Sequence, residues 1–64
     1  MMLKRVLLQE LRRIAGEKGA DLVFVTERPR HDVYELLGTR LPVPRRREIA
    51  EWVADELIKA AEGA

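Results

Sequence analysis

Apolar residues fall at Leu3, Leu7, Leu8, Leu11, Ile14 and Ala15, while Lys4, Arg5, Gln9, Glu10, Arg12, Arg13 and Glu17 fill the positions between them. That spacing lays one apolar stripe along an α-helix. Gly19 supplies a residue suited to the left-handed conformation, so the helix is expected to stop near Lys18. After that stop the pattern changes. Leu22 to Thr26 is too short for a helix, rich in β-branched and aromatic residues, and followed by a polar turn, so it reads as a strand. His31 to Leu37 reads as a second strand, with His31, Val33 and Glu35 on one face and Asp32, Tyr34 and Leu36 on the other. Gly38 permits a tight turn into a third strand, Thr39 to Val43. There Thr39, Leu41 and Val43 share a face, and Arg40 and Pro42 point the other way. Pro42 has no backbone donor, which predicts that this strand lies at a sheet edge. From Arg46 helical spacing returns through Ile49, Trp52, Val53, Leu57, Ala60 and Ala61, predicting a closing helix from about Arg46 to Ala61 with Gly63 beyond it.

The expected fold class is therefore α+β, in the order α-β-β-β-α, with a three-stranded antiparallel sheet covered on one face by both helices. With 64 residues and no linker or repeat, the chain (1-64) is expected to be a single domain with a thin core. Trp52 and Tyr34 are assigned to that core, because few other large apolar residues are present to fill it. The sequence has no cysteine and a single histidine, so disulfides are excluded and no metal site or cofactor is expected. The longest run of large apolar residues is Leu22-Val23-Phe24-Val25, and the first residues lack the features of a signal peptide. A soluble, cytoplasmic protein is expected, with no membrane association.

Net charge is only +1, but the charges are segregated along the chain. Arg28, Arg30, Arg40, Arg45, Arg46 and Arg47 stand in one stretch against Asp32 and Glu35; the last stretch, Glu48 to Ala64, carries Glu48, Glu51, Asp55, Glu56 and Glu62 against Lys59. A near-neutral protein can bind a polyanion through such a one-sided surface. His31 lies between the two arginine-bearing segments. Imidazole can accept and donate a proton near neutral pH, and RNA carries its own nucleophile in the 2′-hydroxyl. A base plus cations that stabilise the phosphorane would suffice to cleave RNA without a metal. His31 is thus the candidate catalytic residue, and Arg28, Arg30, Arg40, Arg45, Arg46 and Arg47 are the candidate RNA-binding residues. The run Arg45-Arg46-Arg47 is further expected to open the closing helix, where free amides and the helix dipole also attract phosphate.

The stretch Arg30-His31-Asp32-Val33-Tyr34, then Gly38-Thr39-Arg40, then Pro42-Val43-Pro44-Arg45-Arg46-Arg47-Glu48-Ile49 resembles the HicA toxins of type II toxin-antitoxin systems. The resemblance spans nearly the whole chain. It implies a fold like a double-stranded RNA-binding domain and an mRNA interferase activity, with His31 at the family's catalytic position. It also implies a HicB-type antitoxin that covers the RNA-cleaving surface. Relative to the family, Pro29-Arg30 stands where a small residue usually precedes the histidine, and Arg46 stands where a second histidine is common. Two other readings are a non-catalytic RNA-binding module of the same fold, in which His31 is dispensable, and a protein-interaction domain without RNA affinity.

Overall fold

A computed structural model describes all 64 residues. The order is β1 (Met2–Leu3), α1 (Lys4–Glu17), β2 (Val23–Glu27), β3 (His31–Leu36), β4 (Thr39–Pro44), β5 (Glu48–Ile49) and α2 (Glu51–Glu62). The α-β-β-β-α order expected from the sequence is present, with a two-residue pairing of β1 and β5 added to it. No helix is long and apolar enough to cross a membrane.

Helix α1 ends as the glycine predicted. Gly19 has φ +68°, its N–H donates to the Gly16 carbonyl at 3.1 Å, and the Ala20 N–H donates to the Ala15 carbonyl at 2.9 Å. These two bonds are the Schellman arrangement, which satisfies carbonyls at the helix end.

Strands β2, β3 and β4 form an antiparallel meander in that order, so β2 and β4 are its edges. The edge position of β4 agrees with Pro42. Leu36 pairs with Thr39 across Leu37 and Gly38, whose φ values of 50° and 84° are both positive, as a two-residue type I′ hairpin requires. Facing residues share a side of the sheet. Tyr34 with Leu41, Asp32 with Val43 and Leu36 with Thr39 therefore lie on one side, and His31 with Pro44, Val33 with Pro42 and Glu35 with Arg40 on the other.

The core identifies which side the helices cover. Leu7, Leu11, Ile14 and Ala15 of α1 and Ala54, Leu57 and Ala61 of α2 cluster with Leu36, Leu41 and Val43, while Tyr34 packs against the cluster half-buried. Both helices thus cover the Tyr34 side, and the His31 side is left open. Only 12 of the 64 residues are buried, so each contributes a large share of the stability. Truncating a fully buried leucine such as Leu7 to alanine is expected to cost about 2–5 kcal/mol.

Two expectations fail, for one reason. The closing helix does not begin at Arg46. Glu48 and Ile49 are instead a strand paired with Leu3 and Met2, the Lys4 N–H donates to the Arg47 carbonyl at 2.8 Å, and Ala50 caps the helix. Ile49 therefore enters the core from a strand and does not set the helical phase. The phase follows from Ala54, Leu57 and Ala61, which puts Trp52 on the opposite side of α2, at roughly 100° per residue. Trp52 is 72% exposed and is not a core residue.

Candidate functional site

His31 is the first residue of β3, entered through the turn Arg28-Pro29-Arg30. The Arg28 N–H donates to the His31 carbonyl at 2.9 Å, which closes the turn and pins the histidine backbone. Its side is the open face, shared with Val33, Pro44 and Arg40. The imidazole is half-buried and enters none of the side-chain hydrogen bonds of the molecule.

The loop Arg45–Arg47 approaches the same end of the sheet. The Arg45 N–H donates to the Arg30 carbonyl at 3.3 Å, which continues the register of His31 with Pro44 by one residue. Two basic segments that are separate in sequence are thereby joined by backbone beside His31. Arg28, Arg30, Arg46 and Arg47 are exposed and belong to none of the ion pairs of the chain. Arg46 and Arg47 occupy a loop, so the phosphate affinity of a helix N-terminus does not add to theirs. Helix α2 instead opens with Glu51.

Arg45 differs from its neighbours. Its Nε donates to Asp32 Oδ1 at 3.0 Å, and its Nη2 lies 3.0 Å from Glu27 Oε2. On the other side, Lys4 Nζ donates to Asp32 Oδ2 at 3.3 Å. Asp32 therefore ties β3 to both α1 and the Arg45 loop. The hydrogen bond from Arg45, assisted by that from Lys4, holds the Asp32 carboxyl below its ordinary range, against a desolvation that pushes it up. The same pairing raises Arg45. This arginine braces the site with a charge already answered by two carboxylates.

Arg40 shares the open face with His31 but pairs with Glu35 near the other end of the hairpin, its Nε 3.6 Å from Glu35 Oε1. Pro44, the partner of His31, lies four positions further along β4, or about 13 Å along a strand. Of the six candidate arginines, then, Arg28 and Arg30 adjoin His31 unpaired, Arg45 meets them across the sheet end but is braced, Arg46 and Arg47 continue unpaired toward the start of α1, where Arg47 lines a concavity with Leu3, Lys4, Arg5 and Leu8, and Arg40 stands apart.

None of the concavities of the molecule is lined by His31; one of them, of ≈ 280 Å³, is lined by Leu3, Lys4, Arg5, Leu8 and Arg47. An open surface suits an extended polymer, whereas small molecules are held in concave sites. No group of three or more His, Cys, Asp or Glu side chains is placed to hold a metal ion. Lys4 and Asp32 are the neighbours of the candidate site that sequence reasoning missed. The only signal for Asp32 was its alternation with His31 on the opposite face, and nothing in the sequence paired it with Lys4. Comparison of the chain with protein-family models, with curated proteins and with solved structures returns no match.

Proposed function

We propose that this protein is an endoribonuclease of the HicA toxin type that cleaves mRNA with His31, requires no metal, and is neutralised by a HicB-type antitoxin. The observation that carries the reading is the meeting of the Arg28–Arg30 turn and the Arg45–Arg47 loop beside a histidine whose imidazole has no other partner. The open His31 face, the α-β-β-β-α order and the sequence resemblance support it, and that resemblance brings with it the likeness to double-stranded RNA-binding domains.

In this mechanism Arg28, Arg30, Arg46 and Arg47 hold the RNA backbone, because guanidinium groups match phosphate oxygens in a bidentate way. The neutral imidazole of His31 takes the proton of a 2′-hydroxyl, and the 2′-oxygen attacks the adjacent phosphorus. The bond from phosphorus to the 5′-oxygen breaks, leaving a 2′,3′-cyclic phosphate. The proton returns to the leaving oxygen from the imidazolium or from water. With Arg46 in the place of the second family histidine, no other imidazole is available for that return.

The test uses purified protein and His31→Ala on labelled mRNA in the presence of a chelator. The wild-type chain is expected to produce cyclic-phosphate ends, and His31→Ala is expected to lose about 10²–10⁴-fold in cleavage rate with RNA affinity retained. Equal cleavage by both forms would overturn His31 as the base. RNA binding without cleavage would leave the non-catalytic module as the correct reading.

A further inference from the structure

The two edges of the sheet are not equally protected. Strand β4 carries Pro42 and Pro44, which have no backbone donor and so blunt its free edge. Strand β2 has neither proline nor lysine, and its consecutive Val23, Phe24 and Val25 are 52%, 50% and 36% exposed. Just outside the strand, Asp21 and Arg28 are both exposed and take part in no ion pair within the chain. An edge with free backbone groups, apolar side chains and unmatched opposite charges at its two ends is self-complementary under a two-fold axis.

We infer that the free edge of β2 pairs antiparallel with the same edge of a second copy of this chain, forming a six-stranded sheet across a dimer. The register follows from the backbone. The Arg28 N–H is already given to the His31 carbonyl, so by antiparallel alternation the polar groups of Glu27 face the free edge. The partners of β2 on β3 show a bulge between Phe24 and Thr26, which leaves Val25 as the extra residue. Counting Val25 out, the two-fold pairing consistent with that alternation sets Phe24 opposite Phe24 of the second copy. Val23 then faces Thr26, Leu22 faces Glu27 and Asp21 faces Arg28. The two Phe24 rings extend the edge-to-face contact that Phe24 already makes with Tyr34, at a centroid distance of 5.6 Å. Each Asp21 meets one Arg28 of the other copy, so the two-fold axis gives two such pairs. No other register that respects the bulge places both charges opposite each other.

The interface is short. A stable one buries about 800 Å² per partner, and a single strand edge provides less, so a reversible dimer in the micromolar to millimolar range is expected. Arg28 belongs both to this edge and to the proposed RNA-binding set, but the dimer is read by assembly alone, so its failure and that of RNA cleavage are told apart.

Sedimentation equilibrium of the full chain from about 1 μM to about 1 mM tests it. The wild-type chain is expected to pass from monomer to dimer. Asp21→Arg and Arg28→Asp, each checked for native circular dichroism, should each raise the dissociation constant at least about tenfold, because both symmetric attractions become repulsions. The double variant, with the charges exchanged, should return to within about threefold of wild type. Phe24→Lys should remove the dimer. A monomer throughout the range, a dimer indifferent to both single changes, or a double variant that fails to recover would each overturn the proposal. So would an edge that binds only a strand of a different protein.

Discussion

Asp32 accepts a 3.0 Å hydrogen bond from Nε of Arg45 on the side of β3 facing away from the imidazole of His31. Consecutive residues of one strand thus divide two tasks, since alternation sends one side chain to the open face and the other to the brace. Arg45 Nη2 reaches Glu27 and Lys4 reaches Asp32, so this ion network holds three separate segments in place around the histidine.

The brace makes stability depend on pH in a defined direction. The folded Asp32 carboxyl titrates below its unfolded value of about 3.9. Its contribution is therefore fully present above that value and is lost as pH falls through the lower folded value. Thermal unfolding of wild type and Asp32→Asn from neutral pH down to about pH 2 should show wild type the more stable at neutrality, with the gap closing at the acid end. A gap that is constant with pH would assign the stabilisation to something other than the Asp32 charge.

The arginines beside His31 should separate by role. Arg46→Ala combined with Arg47→Ala is expected to leave the melting temperature near that of wild type and to lower the salt slope of RNA binding by about 2, one for each phosphate no longer neutralised. Arg45→Ala should instead lower the melting temperature, because it leaves Glu27 without its cation and Asp32 with Lys4 alone. Unfolding curves read beside binding isotherms at several salt concentrations distinguish the two patterns.

Leu37 occupies a left-handed position at φ 50° that suits asparagine or glycine far better than leucine, and its side chain is 58% exposed. Leu37→Asn is expected to stabilise the protein by about 1 kcal/mol, or roughly 4–8 °C in melting temperature for a domain of this size. Gly38→Ala, at φ 84°, should destabilise it by a similar amount. Thermal melts of the two variants check both signs.

Trp52 reports directly on the phase of α2. Trp52→Ser should change stability by no more than about 0.5 kcal/mol, while Leu57→Ala should lower it by about 2–5 kcal/mol. Tryptophan emission of the folded wild-type chain should already lie close to that of the denatured chain. A strong red shift on unfolding would place the indole in the core after all.

Local pattern decided much of this molecule. The stripe from Leu7 to Ala15 specified α1, Gly19 its end, Pro42 an edge strand, and the period of two along β3 the opposition of His31 to Tyr34. Each is a property of neighbouring residues and follows from helix or strand geometry alone. Pairing over long sequence separation decided the rest. Met2 and Leu3 bond to Ile49 and Glu48, and this removes Ile49 from the helix, delays α2 to Glu51 and turns Trp52 outward. The turn after β2 and the loop after β4 become neighbours only when Arg45 bonds Arg30 across the sheet end, and Asp32 becomes a brace only when Lys4 and Arg45 arrive from opposite ends of the chain. Periodicity records which face a residue presents, whereas the partner that meets that face is set by tertiary packing. The sequence alone thus determined α1, the three-stranded meander and the existence of a closing helix, and singled out His31 and the arginines, whereas the folded chain added the β1–β5 pairing, set the start of α2 and decided which arginines are free of ion pairs.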